Sequence, residues 1–420
     1  MKIIVVGGGW AGCAAACSAR KAGAEVILME RTDMLLGTGL VGGIMRNNGR
    51  FTATEELIAM GGGTLLKIID TNLRHKNIAF PGHKHASLYD ISKMPGLILD
   101  YLTHIGVVIR FQTRIKKVTL ESNTITLVED DNKQTYHADT YIDCTGSAGP
   151  QNNCSTYGNG CAMCAIRCPS FGGRISLVGA ANIKESKCPR DKDQYGSMSG
   201  SCKLHKDSLS PDIQQQLEEE GVVIIPVPPA LREDHLSIKS CQQYALPAFA
   251  DNIILLDTGH AKLMTPYYPL DKLRKIPGLK YARYEDPYAG GKGNSIRFLA
   301  MSPTNRALKV TGLDNVFCAG EKVGPIVGHT EAVITGTLAG HNAVLYCQDE
   351  APLILSENTA IGDALAYINE EVKTEEGLKS KYTFSGSKLF EHMKIRDLYT
   401  TDITIIAKRV SDAGLTDIFE

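Results

Sequence analysis

The first residues, 2–6 (KIIVV), are apolar at successive positions after Lys2, and 25–29 (EVILM) repeat that pattern after Glu25. Unbroken runs rich in β-branched side chains predict strands buried on both faces of a parallel sheet. Between them, residues 13–21 carry small side chains at helical spacing, and Gly23 is placed to end that helix. Residues 54–69 hold a helical pattern interrupted by Gly61, Gly62 and Gly63. Residues 94–104 predict another helix, followed by a strand over 107–111. Alternating patterns at 116–120 and 124–129 read as a hairpin around Ser122 and Asn123, with a further short strand in 133–137. A strand over 140–143 then runs into Thr145 and Gly146.

Further along, Ser210 and Pro211 start a helix that Gly221 stops; strands follow at 222–227 and 253–257. Residues 313–321 predict a strand delivering an Ala-Gly-Glu turn, then a small-residue helix over 330–345. From Ser356 onward, Leu/Ile stripes on charged faces predict three short helices, packed as a cap or interface. Residues 74–85 (RHKNIAFPGHKH) are basic and His-rich; they read as a solvated loop rather than a polyanion site.

The link between the first two strands carries the chemistry. Gly7, Gly9 and Gly12 fit G-x-G-x-x-G, with Gly8, Trp10 and Ala11 between them. Gly7 permits a tight turn, Gly9 lets backbone approach a pyrophosphate, and Gly12 lets the helix pack on the strand. The second strand ends on Glu30, eighteen residues after Gly12, where a carboxylate can accept from ribose hydroxyls. The stretch 35–49 adds Gly37, Gly39, Gly42, Gly43 and Gly49, a backbone suited to hugging a ligand or turning sharply.

Composition narrows the class. A chain of 420 residues with 43% hydrophobic and 22% charged content is long enough for two or three domains with real cores. Its net charge of −1 gives no bulk attraction to nucleic acid, so RNA is not favoured as a partner and any RNA contact needs a local patch. No stretch approaches the ~20 apolar residues of a membrane span. With the first strand opening at Lys2 and no signal before it, the expectation is a cytoplasmic protein without membrane contact. A homo-oligomer is compatible with all of this.

The order helix, strand, small meander, strand, Thr-Gly resembles the way two-dinucleotide-fold flavoproteins complete their FAD domain. Within that superfamily three segments resemble the GidA/TrmFO branch: IPGLKYARYEDPY (276–288), CAGEKVGPIVGHTE (318–331) and TAIGDALAYI (359–368). The likeness covers the two FAD pieces and part of the C-terminal region, and is much weaker over 150–270. Two positions depart from the TrmFO pattern: Glu321 stands where Gln is usual, and 40–50 contains no cysteine.

This resemblance implies an α/β protein. A discontinuous Rossmann-type FAD-binding domain (1–150 and 305–348) would carry an inserted α+β substrate domain (151–304) and a helical C-terminal region (349–420). It implies that FAD is held by Gly7, Gly9, Trp10, Ala11, Gly12, Glu30, Arg31, Thr145, Gly146, Gly320, Glu321 and Gly328. His329, beside the flavin-turn glycines, becomes a candidate acid–base group, since histidine titrates near neutrality.

Four cysteines, Cys154, Cys161, Cys164 and Cys168, fall in a C-x6-C-x2-C-x3-C pattern. Converging thiolates can ligate a [4Fe–4S] cluster or zinc. Alternatively Cys161 and Cys164 act as a dithiol or nucleophile at the flavin, or all four are small buried hydrophobes. Arg283 and Arg306 are the candidate anion-binding residues of the substrate region.

The expected activity is an FAD-dependent oxidoreductase moving a hydride or electrons to a small-molecule substrate in the inserted domain. A single dinucleotide fingerprint supports no second tightly built NAD(P)H domain. Transient NAD(P)H, reduced folate or an iron–sulfur centre remain as electron sources. Two other readings are a folate- and FAD-dependent RNA uridine-5 methyltransferase, which is what TrmFO-like kinship implies, and a non-catalytic flavin electron carrier.

Overall fold

A computed structural model describes residues 1–146, 167–189, 197–198, 201–237, 242–265, 268–285, 296–297 and 300–420; the counts below refer to these. Five parallel strands form the central sheet in the order Val316–Cys318, Thr140–Asp143, Lys2–Val6, Glu25–Met29 and Val108–Arg110. Ile3, Ile4 and Val5 have no exposed surface, as expected of a strand covered on both faces. Its outermost strand, Val316–Cys318, comes from the far side of the region that contains the second sheet.

One face of the sheet is covered by the helix Trp10–Lys21, and against that helix lies the long helix His329–Cys347. Small residues let the two backbones approach very closely. A Cβ at Gly336 would fall 2.2 Å from the Ala11 carbonyl oxygen, and one at Gly340 would fall 2.3 Å from that of Ala15. The pair brings the N-terminus of the long helix over the glycine turn of the first strand. The C-terminal helices share this core through Ile361, Ile368, Leu389 and Val410.

A four-stranded antiparallel sheet, in the order Cys202–Leu204, Ala261–Leu263, Asn252–Asp257 and Val222–Pro226, packs its own core with the helix Pro211–Glu220. The predicted helix start and stop hold here. Ser210 is the N-cap residue, Pro211 the first helical residue, and Gly221 closes the helix with a left-handed φ of 76°.

Three expectations change. Residues 74–85 are not a solvated loop but most of an antiparallel hairpin, Leu73–Phe80 with His83–Tyr89. Register shifts break its alternation, Arg74 and His75 find partners distant in sequence, and Lys76 and Lys84 stay exposed. Arg74 and His75 both bond the fully buried Asp257 at 2.9 Å, and the buried His83 stacks on Phe80 with centroids 4.8 Å apart.

The strand expected over 313–321 shrinks to Val316–Cys318. Just before it, the Asn315 side chain accepts from the Ile125 amide and donates to the Ile125 and Asp139 carbonyls, in place of a strand ladder. The C-terminal region has four helices, Ala360–Glu371, Glu375–Lys379, Ser387–Ile395 and Ile403–Asp412, not three. The added one is a single short turn, capped by Thr374 accepting from the Gly377 amide. Among the described residues no helix is long and apolar enough to cross a membrane.

Candidate functional site

The glycine turn meets each steric demand of its motif. Gly7 has φ +104°, and a Cβ there would fall 2.4 Å from the Cys144 carbonyl oxygen. At Gly12 a Cβ would fall 1.8 Å from the Gly7 oxygen, so turn and helix can touch only without a side chain. Gly9 differs. It caps the helix Trp10–Lys21 with φ −69°, and a Cβ on it would meet no atom within 4 Å. The uncrowded backbone and helix N-terminus at Gly9 face a cleft, an arrangement that suits an anionic phosphate.

Glu30 closes one side of that turn. Its carboxylate accepts from the backbone amides of Gly8 and Thr32, both at 2.7 Å. Two amides thus fix its orientation, and the remaining lone pairs can accept from hydroxyls in the cleft.

The cleft encloses about 1110 Å³ including its open mouth. It brings together Gly7, Gly9, Trp10, Ala11, Glu30, Arg31, Thr145, Gly146, Gly320, Glu321, Gly328 and His329 from four separate stretches of sequence. Gly12 does not line it; that glycine lies beneath, against Gly7. Further lining residues carried no recognisable sequence signal, among them Thr113, Arg114, Arg174 and Ile175. Arg174 donates to the Gly146 carbonyl at 2.9 Å, and Arg31 to the Gly172 carbonyl at 2.6 Å. A dinucleotide such as FAD fits this set: Glu30 for a ribose, the Gly9 turn for a pyrophosphate, and the Gly320–Glu321 and Gly328 turns for the flavin-bearing half.

Behind the cleft wall lies a buried polar network. Asp143, fully buried at the end of its strand, accepts from the Thr145 amide at 3.0 Å and hydroxyl at 2.6 Å, which shapes the Thr-Gly turn. Burial pushes the Asp143 carboxyl up, but Lys322 and the bonds from Thr145 and Val178 outweigh it, and the net shift is downward. Burial, reinforced by the Arg174 charge, lowers the Lys322 amine against the opposing field of Asp143; the same amine contacts Glu185 directly.

His329 is the first residue of the long helix and stands at the cleft's far end. Its Nδ1 is 3.3 Å from the Tyr89 hydroxyl, and its ring lies 6.2 Å from the Trp10 ring. Burial pushes the Tyr89 phenol well above its ordinary range, so it keeps its proton and donates or accepts according to the histidine tautomer. A Cβ at Gly42 would sit 1.6 Å from His329 Cε1. The glycine-rich stretch therefore does hug its surroundings: Gly37 and Thr38 line the cleft, and Gly42 seats the imidazole.

On the other side of His329 is a second cavity of about 580 Å³, which shares Thr38, Gly328 and His329 with the first. Its remaining lining includes Arg50 from the helix Gly49–Ala59, Ile44 from a short strand that pairs with His83–Tyr89, and Ser201, Lys262 and Met264 on or beside the four-stranded sheet. Arg50 is tied to the buried Glu331 at 3.1 Å, and Lys262 bonds the Val41 carbonyl and the Ser201 hydroxyl.

The candidate anion-binding residues lie elsewhere. Arg283 is more than half exposed and pairs with Asp207, while Arg306 pairs with Glu357; neither lines a cavity described above. Of the four clustered cysteines, Cys154, Cys161 and Cys164 lie outside the described residues, and Cys168 is partly exposed at the start of a short helix. Among the described residues no three His, Cys, Asp or Glu side chains converge as a metal site. Burial pushes the thiols of Cys13, Cys144 and Cys318 well above their ordinary range and that of Cys17 up to about 11, so those around the glycine turn are packing groups rather than nucleophiles.

No curated protein matches the chain in sequence. Among solved structures, Aquifex aeolicus GidA in its form II crystal superposes with a TM-score of 0.66 at 16% identity, covering 99% of this chain and 73% of that one. The form I crystal gives 0.63 at 14% identity, covering 99% and 76%. These likenesses establish a common fold. The family model described as "Glucose inhibited division protein A" matches residues 2–246 and 259–351, most of the chain. With its glycine turn, Glu30 and split cleft in place, the chain belongs to the GidA family of two-dinucleotide-fold FAD flavoproteins.

Proposed function

We propose that this flavoprotein is an oxidoreductase that holds its substrate in the second cavity, across His329 from the cofactor cleft. The observation that carries this reading is the shared boundary: the two cavities have Thr38, Gly328 and His329 in common. Bound FAD would supply reversible hydride or electron-pair chemistry. The chain itself supplies placement and proton handling. The Gly9 turn and the helix N-terminus hold phosphate, Glu30 holds ribose, and the wall from Thr145 to Glu321 fixes the remaining length. His329, oriented by Tyr89, is placed to give or take a proton at a substrate atom in the second cavity. Lys262 brings a cation to that cavity's lining, while Arg50 is neutralised by Glu331; a lysine there suits a substrate with acceptor oxygens.

The test is anaerobic purification or reconstitution with FAD, followed by spectroscopy, metal analysis and donor-dependent reduction. Flavin bands, with substrate turnover that His329→Asn slows while flavin stays bound, support the reading. Failure to bind flavin after reconstitution overturns it. Iron and sulfide in stoichiometric amounts would assign the cysteine cluster to electron transfer; their absence would return Cys161 and Cys164 to thiol chemistry.

Kinship to GidA supports a second reading, in which the substrate is an RNA uridine and a folate supplies one carbon. Salt-sensitive RNA binding with transfer from a labelled folate would select it. The oxidoreductase reading instead predicts neither.

A further inference from the structure

We propose that Lys322, which does not itself line the cleft, is a positioning residue that holds the two halves of the cofactor site in register. The inference rests on the FAD reading of the cleft. Lys322 follows Glu321 in the turn Gly320–Lys322, yet its side chain is completely buried. Its ammonium contacts a Glu185 carboxylate oxygen, donates to the Ser176 hydroxyl at 2.9 Å and to the Ala300 carbonyl at 3.4 Å, and lies 3.9 Å from Asp143.

Each contact leads to a different part of the cleft wall. Asp143 shapes the Thr145–Gly146 turn through two hydrogen bonds on one oxygen, while its other oxygen takes the Ser176 hydroxyl at 3.2 Å and the Val178 amide at 3.0 Å. Ser176 is two residues beyond Arg174, which lines the cleft and holds the Gly146 carbonyl. The Lys322 backbone carbonyl accepts from the Ser302 amide at 2.7 Å, and the Ser302 hydroxyl returns to Glu185 at 3.1 Å. One ammonium thus joins the turn after Val316–Cys318, the turn after Thr140–Asp143, and the 174–185 segment.

Packing alone does not explain a lysine here, because desolvating an ammonium is costly and an apolar side chain of similar size packs as well. What lysine adds is charge. Without it, the Glu185 carboxylate loses its ammonium contact and Asp143 keeps only the field of Arg174, behind a cleft shaped for a phosphate-bearing ligand. Repulsion between the two carboxylates would spread the Thr145–Gly146 turn from the 174–185 segment.

The experiment titrates apo-protein with FAD, followed by flavin fluorescence and visible circular dichroism, well below the thermal midpoint of each variant. Lys322→Met is expected to weaken FAD binding by about ten-fold or more and to alter the dichroism of the flavin that still binds. Lys322→Arg, which keeps the charge, should restore most of the affinity. Should Lys322→Met fail to fold, Ser176→Ala removes the hydroxyl that links Lys322, Asp143 and Glu185, leaves every charge in place, and is expected to weaken binding about three-fold or more.

A purely structural lysine would lower the melting temperature and leave both affinity and flavin dichroism unchanged; that result, in either Lys322→Met or Ser176→Ala, overturns the proposal. If the wild-type protein binds no FAD, the reading of the cleft fails instead, so the two failures are distinguishable.

Discussion

The glycine turn permits a test that separates fold from cofactor with two methyl groups three residues apart. At Gly12 a Cβ would lie 1.8 Å from the Gly7 oxygen and 3.3 Å from Cys144 Cβ. Heavy atoms in contact prefer roughly 3.5–4.0 Å, so turn and helix must part by about 1.7 Å or more. The helix cannot simply retreat, because the long helix already presses on its other side, where a Gly336 Cβ would be 2.2 Å from the Ala11 oxygen. Overpacking of this kind costs about 1–3 kcal/mol, and Gly12→Ala should lower the melting temperature of the apo-protein by roughly 1–4 °C.

Gly9 has the opposite surroundings. With φ −69° and ψ −179° it suits any residue, and its Cβ would meet nothing within 4 Å. For Gly9→Ala, the reduced freedom of the unfolded chain offsets a slightly poorer helix cap, and stability should stay within about 1 kcal/mol of wild type. The methyl instead enters the cleft where phosphate would approach the backbone, and FAD affinity should fall about ten-fold or more. Thermal melts and fluorescence titration of both variants read the two effects independently. Wild-type FAD affinity in Gly9→Ala would refute the placement of phosphate at this turn. A Gly12→Ala protein that melts with the wild type would refute the packing argument.

Glu331→Ala removes the carboxylate that receives Arg50, the Thr383 hydroxyl at 2.7 Å and the Phe384 amide at 2.9 Å; breaking a buried pair should cost about 3–5 kcal/mol in urea denaturation. Tyr89→Phe deletes the hydrogen bond to His329 for about 1 kcal/mol of stability, and should move the pH–rate profile of turnover while leaving FAD bound; an unmoved profile argues against proton handling by His329. For Asp257, burial raises the carboxyl but bonds from Arg74, Lys206 and His75 outweigh it, and the net shift is downward. A folded value below the unfolded one means that this stabilisation is fully present above about pH 4 and fades as pH falls through the lowered folded value. Urea midpoints from neutral to acid pH should therefore converge for wild type and Asp257→Asn at the acid end, and parallel curves would refute the linkage.

The central sheet and the glycine turn were legible in sequence because their causes are local. A strand buried on both faces must be apolar at every position, and a turn that touches both a helix and a neighbouring strand must lack side chains at Gly7 and Gly12. The same holds for the Pro211–Glu220 helix, whose start and stop signals act within one turn. Residues 74–85 read as a solvated loop because Arg74 and His75 meet their partner, Asp257, nearly two hundred positions away, and no local pattern records that pairing. Arg174 and Lys322 carried no signal for a related reason: on sequence a lysine or arginine reads as solvated surface, and only the packing of the 174–185 segment against two turns buries Lys322 and sets Arg174 in the cleft wall. The sequence by itself determined the cofactor fingerprint, the strands that carry it and the small-residue helix that returns to it. Tertiary structure alone decided that two cavities meet at His329 and that one buried ammonium joins the cleft's two halves, since both depend on segments that become neighbours only when the sheet closes.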